Sequence, residues 1–396
     1  MRVLQINSVY KTGSTGRNIF EIQEYLNSKG NEVYSAVAQP CKENNVVTIG
    51  NVIDWKLHAL LSRITGKQGY FSCLSTLKLI FFLKSINPDI VHLNNLHSNY
   101  VNFKILFQYL AKHNIPTVIT LHDCWFYTGK CMHYTKINCD KWKTGCNNCP
   151  IFKKGNPSWF FDRTKTLWND KRNIYLNHNN LAVVGVSDWI TNEAKKSILK
   201  NAKIIRRIYN WIDLDVFKPR DNISTRKRYN LEDKKILLGV SSYWNNDKGL
   251  DLFIQVSNKL SDNYVLVLVG KIDSDILPDN IINIPATDDI NELASIYSMA
   301  DCYIQLSKEE TFGKVVAEAL ACGTPVITNK YTANPELIDS HCGIVLDKLT
   351  VNNIIQSSIF LCENGIDSFC CRKFAVENFG KNKLIDEYFK LYQEMI

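Results

Sequence analysis

Short runs of β-branched and other apolar residues alternate with segments of helical pattern through both halves of the chain. These runs cover residues 3–7, 33–38, 90–94, 117–121, 181–186 and 203–208 in the first half, and 236–241, 264–269, 281–284, 302–306 and 324–328 in the second. Near-continuous apolar runs separated by helices are typical of parallel sheets that are covered on both faces. Two such sets predict an α/β fold class with two Rossmann-like domains.

The length and composition are those of a globular protein. The chain has 396 residues, enough for two or three domains, with 45% hydrophobic and 22% charged residues. It contains no run of the ~20 apolar residues that a membrane-spanning helix needs, and residues 1–7 lead directly into a strand-like segment, so we expect no signal peptide. Thirteen scattered cysteines, an odd number, favour reduced thiols in a cytoplasm over a disulfide scaffold.

Charge is spread unevenly along the chain. Residues 1–180 hold 22 Lys/Arg and 10 Asp/Glu, a net charge of +12, whereas residues 181–396 hold 25 and 29, a net charge of −4. A basic domain attracts nucleic acid or anionic lipid, although a merely soluble surface has the same composition. Residues 55–84 place five basic residues among Leu, Ile and Phe, a pattern that fits either a membrane-resting surface or ordinary helices that bury one face: Lys56, Arg63, Lys67, Lys78 and Lys84.

Two glutamates, Glu310 and Glu318, flank the start of a predicted helix. The helix-like stretch begins near Phe312 and ends at Gly323, between the strand-like runs 302–306 and 324–328. A helix N-terminus with its backbone N–H groups is an anion site suited to phosphate. Glu310 lies beside that terminus and Glu318 about two turns further on, although two solvated glutamates on an amphipathic helix would show the same spacing.

Residues 309–327 resemble the E-x7-E motif of the family-four retaining glycosyltransferases. The resemblance implies the GT-B fold, in which two Rossmann-like parallel-sheet domains face each other across a cleft. It also implies that Glu310 contacts the donor sugar and Glu318 the nucleotide ribose. Thr311, Phe312 and Gly313 match the loop of that family which contacts the donor phosphates.

A small-residue loop after the first predicted strand opens a helix and contains Gly13, Gly16 and Arg17. Such a loop suits a phosphate or a close-lying ligand, although a plain tight turn has the same pattern. It resembles the glycine loop at the domain cleft of the family, which implies that these three residues bind the donor. The chain has no G-x-G-x-x-G after a strand and no Walker A lysine, so a nicotinamide or ATP site lacks its main signature.

Lys248 and Gly249 follow the first strand of the second half and open another helix. They are similar to the Lys-Gly motif of the family, which implies that Lys248 contacts the leaving diphosphate. The family commonly pairs this lysine with an upstream arginine, but residues 241–244 are Ser-Ser-Tyr-Trp, which leaves Lys248 as the main cation. A solvated lysine at a helix start is the ordinary alternative.

His122 and Asp123 close the strand-like run 117–121. Open parallel sheets bind ligands at the carboxyl ends of their strands, although a lone histidine there can also be merely packed. The pair matches the cleft histidine of the family, which implies that His122 approaches the donor hexose and that Asp123 belongs to the donor site.

Four cysteines fall within nineteen residues and end in Cys-Asn-Asn-Cys-Pro: Cys131, Cys139, Cys146 and Cys149. They could hold a tetrahedral zinc, but their spacing matches no common zinc finger, and free or disulfide-bonded thiols are the alternative that we favour. A second metal-type pattern, Asp273-Ser274-Asp275, we interpret as a solvated turn. We therefore predict no catalytic metal.

Residues 90–97, the His122–Trp125 stretch and the cysteine-rich insert resemble the branch that makes colanic acid, capsule and O-antigen polysaccharides. Nearly the whole chain takes part in the resemblance. It implies an acceptor-binding domain at 1–205, a nucleotide-sugar-binding domain at 206–380 and a C-terminal helix at 381–396 that returns to the first domain. The segment 209–219 is similar to the interdomain segment of the family, with Trp211 in place of a glycine.

The resemblance therefore implies a retaining glycosyltransferase that requires no cofactor and takes a nucleotide-diphospho-sugar as its co-substrate. We expect a lipid-linked oligosaccharide as acceptor, at the inner face of the membrane, and peripheral binding of the basic first half to anionic lipid. We expect no nucleic-acid partner. A nucleotide-sugar epimerase or dehydrogenase is a weaker alternative because the dinucleotide fingerprint is missing. A zinc-dependent nucleic-acid-binding protein would leave Glu310 and Glu318 without a role.

Overall fold

A computed structural model describes residues 1–273 and 277–396. The chain forms two compact units, one made of Met1–Ile208 with Ile385–Ile396 and the other of Tyr209–Leu384. The boundaries expected at 205 and 380 lie three and four residues before those of the units. Each unit has its own parallel sheet with helices between the strands.

The first unit alternates strands with helices. Its strands are β1 (Arg2–Asn7), β2 (Glu32–Val37), β3 (Val46–Thr48), β4 (Ile90–Leu93), β5 (Thr117–Leu121), β6 (Leu181–Gly185) and β7 (Ile204–Arg207). Its helices are α1 (Gly13–Ser28), α2 (Val52–Thr65), α3 (Cys73–Ile86), α4 (Phe103–Lys112), α5 (Lys141–Thr144), α6 (Thr164–Leu176) and α7 (Asp188–Lys195), with a 3₁₀ turn at Thr135–Ile137.

The sheet of the first unit has the order β3-β2-β1-β4-β5-β6-β7, and all of its strand pairs are parallel. Every residue of β4, β5 and β6 is buried, which explains why these runs are mainly apolar rather than alternating. The register pairs Leu93 with Ile119 and Leu121 with Gly185. The carboxyl ends of the central strands therefore meet at one edge, where the loops after β1, β4 and β5 begin.

The second unit repeats this pattern. Its elements are α8 (Ile223–Arg228), β8 (Lys235–Tyr243), α9 (Leu250–Ser257), β9 (Tyr264–Lys271), β10 (Ile281–Ile284), α10 (Ile290–Met299), β11 (Cys302–Ile304), α11 (Lys314–Ala321), β12 (Val326–Asn329), β13 (Gly343–Leu346), α12 (Val351–Asn364), α13 (Ser368–Phe379) and the start of α14 (Lys381–Met395). Two 3₁₀ turns lie at Asn246–Lys248 and Asn334–Leu337.

The sheet of the second unit has the order β10-β9-β8-β11-β12-β13, again with parallel pairs. A buried apolar cluster joins β8, β9, β11 and β12 to α9 and α12, and it includes Trp244, Phe253 and Leu268. The indole of Trp244 donates to the carbonyl of Val269 at 2.9 Å, so this large side chain is buried with its polar atom paired. Because β8 and β11 are neighbours in this sheet, the loops that follow them lie side by side.

The two Rossmann-like sheets predicted from the sequence are confirmed, and the differences lie at their edges. The edge strands β3 and β13 were not predicted, because each is only three or four residues long and partly exposed. Helix α11 begins at Lys314 rather than near Phe312, since Gly313 has φ +89°, outside the helical region.

From Ile385 onward the last helix, α14, belongs to the first unit. The hydroxyl of Tyr392 lies 2.7 Å from Nδ1 of His92, and that of Tyr388 lies 3.1 Å from Oγ1 of Thr120. Arg206 binds both carboxylate oxygens of Glu394, at 2.8 and 2.7 Å. Buried aromatic residues on one face thus fix this helix against β4 and β5.

The linking segment is packed within the second unit. The backbone N–H of Ile212 donates to the carbonyl of Phe379 at 2.8 Å, and Ile212 forms a parallel bridge with Gly380. Trp211, which replaces the glycine expected from the family resemblance, is only 2% exposed. The substitution therefore contributes a buried aromatic side chain.

Candidate active site

The clearest candidate site in the second unit is built on a contact between Lys248 and Glu310. Nζ of Lys248 lies 2.5 Å from Oε1 of Glu310, and their side chains are 38% and 16% exposed. Lys248 ends a 3₁₀ turn whose backbone N–H groups at Asp247 and Lys248 donate to Oδ1 of Asn245 at 2.9 and 3.1 Å. Two residues predicted separately from two motifs are thus brought together at the carboxyl edge of one sheet.

Gly249 explains how the two loops approach each other. Its φ is +84°, and a Cβ built on it would lie 2.5 Å from Cβ of Leu306, just beyond β11. Only a residue without a side chain lets the β8–α9 connection lie against the end of β11. The Lys-Gly sequence therefore has a steric explanation. Gly249 lets the two loops approach closely, and the side chain of Lys248, one residue earlier, then reaches Glu310.

The loop that carries Glu310 is held by residues that the sequence did not single out. The backbone N–H of Glu310 donates to Oγ1 of Thr332 at 3.0 Å, and the N–H of Ala333 donates to the carbonyl of Glu310 at 3.3 Å. Thr332 has φ +53°, a conformation that is costly for a β-branched residue. Nothing in a Thr-Ala pair indicates such a conformation, so no sequence signal could have found it.

A buried amide network supports the same loop. Nδ2 of Asn334 donates to the carbonyl of Ser307 at 2.8 Å and to Oδ1 of Asn329 at 3.0 Å. Nδ2 of Asn329 donates to the carbonyls of Gln305 and Ser307 at 3.2 and 3.0 Å. These bonds fix the chain between β11 and Glu310, because buried backbone carbonyls must find donors. The asparagines are a second feature that the sequence did not reveal.

At the start of α11, Gly313 and Phe312 set the direction of the helix. Phe312 is buried, with its ring centroid 5.7 Å from that of Tyr209 and 5.6 Å from that of Phe379. Gly313, at φ +89°, turns the chain so that α11 begins at the next residue, Lys314. The predicted phosphate-contacting residues therefore precede a helix N-terminus, where backbone N–H groups attract anions.

Glu318 lies on α11 and accepts a hydrogen bond from the hydroxyl of Tyr297 at 3.0 Å. Burial raises the pKa of Tyr303, on β11, well above its ordinary value, and the charges of Glu310 and Glu318 both raise it further. Both carboxylates of the motif thus act on one buried phenol.

In the first unit, Gly13 and Gly16 open α1 as the sequence suggested. Gly13 has φ +62°, and a Cβ on Gly16 would lie 3.0 Å from Cγ2 of Val9. The N–H of Lys11 donates to the carbonyl of Gly16 at 3.0 Å, which closes the loop tightly. Arg17 follows on α1 and is half-buried.

Side chains from two strand ends hold this glycine loop. Oγ1 of Thr15 accepts from Nδ2 of Asn7 at 3.3 Å and from Nδ2 of Asn95 at 3.4 Å. The N–H of Asn95 donates to Oδ1 of Asn7 at 3.2 Å. The loop after β1 is therefore joined to the loop after β4.

His122 and Asp123 lie where β5 ends, beside residues that follow β4. Nε2 of His122 lies 2.9 Å from Oδ1 of Asn94, and Oδ2 of Asp123 lies 2.8 Å from Nε2 of His97. The N–H of Trp125 donates to Oδ1 of Asp123 at 2.8 Å. The carboxylate of Asp123 is thus engaged by a histidine that the sequence analysis did not select.

The pKa values of His97 and Asp123 shift in opposite directions. Burial alone would lower the pKa of His97, but the charge and hydrogen bond of Asp123 outweigh burial and raise it. Burial alone would raise the pKa of Asp123, but His97 lowers it, helped by the N–H of Trp125. The pair is therefore charged over a wider pH range than either group would be alone.

The cysteine-rich insert contains no metal site within the described part of the chain. No three His, Cys, Asp or Glu side chains are grouped to hold a metal in residues 1–273 and 277–396, and no disulfide forms there. The thiols of Cys131 and Cys149 hydrogen-bond to each other, and Sγ of Cys146 accepts from the N–H of Gly129 at 3.2 Å. Of the Asp273-Ser274-Asp275 pattern, Ser274 and Asp275 lie outside the described residues.

No helix among the described residues combines the length and apolarity that crossing a bilayer requires.

Two Rossmann-like units are the architecture of the GT-B class, and comparison with known proteins identifies the chain as a glycosyltransferase. The model of the family described as Glycosyltransferase Family 4 matches residues 15–216, just over half of the chain. The model of the family described as Glycosyl transferases group 1 matches residues 221–373. The chain therefore belongs to this family of glycosyltransferases. The epimerase, dehydrogenase and nucleic-acid-binding alternatives gain no support from these matches.

Among curated relatives, the chain is similar to WcaC of Escherichia coli K12, a glycosyl transferase named for colanic acid biosynthesis. The two are 23% identical over 320 residues, which cover 79% of this chain and 78% of WcaC. The O-antigen biosynthesis glycosyltransferase WclY of Escherichia coli is 26% identical over 249 residues, 60% of this chain and 62% of WclY. The chain thus matches about three-fifths of the length of WclY.

Solved structures share the fold. Sucrose-phosphate synthase from Thermosynechococcus elongatus aligns over 100% of this chain and 98% of its own, with a TM-score of 0.74 and 16% identity. Anabaena HepE, solved in complex with UDP, aligns over 100% of both chains with a TM-score of 0.68 and 14% identity. At these identities the likeness establishes the fold alone.

Proposed function

We propose that this protein transfers a sugar from a nucleotide-diphospho-sugar to a lipid-linked oligosaccharide, with retention of anomeric configuration, during the synthesis of a bacterial surface polysaccharide. The donor class is supported by the structures of HepE with UDP and with UDP-glucose, which share this fold. The pathway is supported by the relatives named for colanic acid and O-antigen biosynthesis. Retention rests on the resemblance of residues 309–327 to the E-x7-E motif.

The observation that carries the proposal is the contact between Lys248 and Glu310 beside the start of α11. A leaving diphosphate gains one negative charge when the bond to the sugar breaks, and a cation and a helix N-terminus can stabilise that charge. The side chain of Lys248 is more than one-third exposed, so its ammonium group can also contact a diphosphate from solution. Thr311, Phe312 and Gly313 then offer the backbone amides that precede α11.

Glu310 and Glu318 are proposed to position the rest of the donor. The backbone of Glu310 is held by Thr332 and its carboxylate by Lys248, and this carboxylate would accept hydrogen bonds from sugar hydroxyls and fix the ring. Glu318, on α11, would accept from the ribose. The chemistry is then mainly positioning and electrostatic stabilisation, with no proton transfer assigned to either carboxylate.

In the first unit, His122 is proposed to contact the transferred sugar, and Gly13, Gly16, Arg17 and Asp123 to belong to the same donor site. Their support is local: His122 and Asp123 lie at the carboxyl end of β5, where open sheets bind ligands, and the glycine loop is joined to the neighbouring strand ends.

A lipid-linked acceptor is supported by the surface of the first unit. This unit holds 29 Lys/Arg and 15 Asp/Glu, a net charge of +14, whereas the second holds 18 and 24, a net charge of −6. Large apolar side chains on α2 and α3 are exposed to solvent: Ile53 by 78%, Leu74 by 75% and Phe81 by 69%. A basic surface with exposed apolar side chains fits peripheral binding to an anionic membrane face.

The proposal is tested in two steps with the full chain. Thermal unfolding with UDP, GDP, ADP and TDP identifies the nucleotide, since a ligand of the native state raises its stability. The matching nucleotide-sugars are then supplied with lipid-linked saccharides in vesicles, and the product is analysed by NMR. We expect transfer with the anomeric configuration of the donor. An inverted product would overturn retention, and an absence of stabilisation by any of the four nucleotides would overturn the donor class.

A further inference from the structure

The lining of a small polar pocket in the first unit includes none of the residues proposed for the donor site. Its volume is about 90 Å³, well above the roughly 10–15 Å³ that one water molecule needs. Residues at the end of α2, the loops after α2 and β4, and the insert between β5 and α6 line it. They include Ser62, Arg63, Gln68, Asn99, Lys130 and Asn156.

The pocket is cationic and offers hydrogen-bond groups that the protein leaves unpaired. Oγ of Ser62 and Nδ2 of Asn156 are buried without a hydrogen-bond partner in the described structure, and Ser62 is 7% exposed. Lys130 is 5% exposed, and its ammonium group donates to the carbonyl of Phe152. An ammonium carries three donors, so Lys130 can also donate into the pocket. Unpaired buried polar groups are costly, which favours a ligand that pairs them.

The charge of the lining fits an anion. Among the described residues that line the pocket, none is acidic, whereas Arg63 and Lys130 are basic. The nearby carboxylate of Asp162 accepts from the N–H of Cys149 at 2.6 Å and from Thr164 at 2.9 and 2.7 Å, so its oxygens are already engaged. Burial lowers the pKa of Lys130, and a bound anion would favour its charged form.

Close contacts and hydrogen bonds hold the segments that form the walls of the pocket. A Cβ on Gly66 would lie 2.3 Å from the carbonyl oxygen of Phe161 and 2.9 Å from Oγ of Ser158, so the insert lies directly against the end of α2. The N–H of Trp159 donates to the carbonyl of Arg63 at 2.7 Å. Gln68 donates to the carbonyl of His97 at 3.0 Å, which joins the pocket to the His97–Asp123 pair.

The surface next to the pocket is apolar. The residues that directly follow Ser158 in the insert are exposed aromatics: Trp159 by 46%, Phe160 by 66% and Phe161 by 50%. On α2, Leu57 and Leu60 are also exposed, within the helix that supplies Ser62 and Arg63 to the lining. A phosphate in the pocket would therefore lie beside apolar side chains that hydrocarbon could cover.

We propose that this pocket binds the phosphate group of the lipid-linked acceptor, while the neighbouring aromatic and α2 side chains contact its hydrocarbon chain. The inference rests on the proposed function, because it assumes a lipid phosphate as the acceptor anchor. Lys130 and Arg63 supply the positive charge, and Ser62 and Asn156 supply the hydrogen-bonding groups. A free phosphate has the same head-group chemistry, so the source of the phosphate must be separated by experiment.

The test measures binding of a short-chain prenyl diphosphate to the full chain by calorimetry, beside inorganic pyrophosphate and the matching prenol. We expect Arg63→Gln and Lys130→Gln each to weaken prenyl diphosphate binding by roughly tenfold or more, as for a lost hydrogen bond to a charged group. Lys154→Gln removes one charge from the same insert outside the lining and should change binding by less than about twofold. Arg63 is exposed, so we expect Arg63→Gln to fold normally and to test the site even where Lys130→Gln lowers folding stability.

The three ligands distinguish a lipid phosphate from a free phosphate. Tighter binding of the prenyl diphosphate than of pyrophosphate, with little binding of the prenol, supports a lipid phosphate, whereas equal binding of prenyl diphosphate and pyrophosphate overturns the lipid assignment. Wild-type affinity in both Arg63→Gln and Lys130→Gln overturns the site. That failure is distinct from failure of the proposed function, because nucleotide-sugar binding by the wild-type chain is measured separately and does not depend on the pocket.

Discussion

The backbone N–H of Glu310 donates to Oγ1 of Thr332, 3.0 Å away and twenty-two residues later in the chain. Thr332 adopts φ +53° to make this contact, and the N–H of Ala333 returns a hydrogen bond to the carbonyl of Glu310. The peptide groups on both sides of Glu310 are thus fixed, and its side chain is held beside Lys248. A carboxylate fixed in this way is positioned before a ligand arrives, which is what an orienting role requires.

Replacing Glu310 by glutamine should leave the fold intact and lower turnover by at least tenfold, which corresponds to ~1.4 kcal/mol of activation free energy. The amide keeps the shape of the side chain but loses its negative charge, so it accepts sugar hydroxyls less strongly. Steady-state transfer rates measure the effect. Glu309→Gln, the same change one residue earlier, is the control. Wild-type rates in the Glu310 variant would show that this carboxylate does not contact the donor sugar.

Lys248→Ala should weaken nucleoside diphosphate binding by ~1.5–3 kcal/mol, the range for a hydrogen bond to a charged group. No arginine lies in residues 241–244 to replace the lost charge. Calorimetric titration with the nucleotide identified by thermal unfolding measures the change. Lys259→Ala, an exposed lysine of the same unit, should bind as the wild type does. Equal affinities in the two variants would remove Lys248 from the donor site.

Gly249→Ala should destabilise the protein more than Gly30→Ala does. Both glycines have positive φ, +84° and +77°, so each alanine incurs roughly 1–2 kcal/mol of backbone strain. At Gly249 the new Cβ also meets Cβ of Leu306 at 2.5 Å, whereas at Gly30 no atom lies within 4 Å. Chemical denaturation of the two variants isolates the contribution of this contact. An equal loss in both would show that the β8–α9 connection can shift without cost.

The sequence could predict the elements of the site better than the contacts between them. Apolar runs predict all strands except the edge strands β3 and β13, and the Lys248-Gly249 pair and the Glu310–Glu318 spacing are short motifs. Thr332, Asn329 and Asn334 are ordinary polar residues whose importance arises only when β12 brings them beside the loop after β11. The pocket around Lys130 depends in the same way on an insert folding back onto α2.

Stability of the first unit should depend on pH through His97 and Asp123. Because the folded pKa of His97 is raised, its contribution is complete below the ordinary value of about 6.5 and is lost as pH rises through the folded pKa. The lowered pKa of Asp123 adds stability above about pH 4 that is lost on further acidification. His97→Gln should therefore lower the melting temperature more at pH 5.5 than at pH 9.

The control for this prediction is the partner residue. In an Asp123→Asn background burial lowers the pKa of His97, so the pH dependence should reverse, and His97→Gln should lower the melting temperature less at pH 5.5 than at pH 9. Differential scanning calorimetry of the four proteins at both pH values gives the interaction directly. A pH dependence of the same size in both backgrounds would assign the effect to another group.

The full chain should bind vesicles that contain acidic lipid at low salt and dissociate at high salt. Each basic residue near an anionic surface contributes about 1 kcal/mol, and salt screens that attraction. The exposed side chains of Leu74 and Phe81 on α3 should add apolar contact, so Leu74→Ser/Phe81→Ser should reduce the bound fraction in a flotation assay. Phe360→Ser, which removes a 55% exposed aromatic from α12 in the acidic second unit, should leave binding unchanged. Equal flotation with neutral and acidic vesicles, or with neither, would instead indicate an acceptor that does not require this surface.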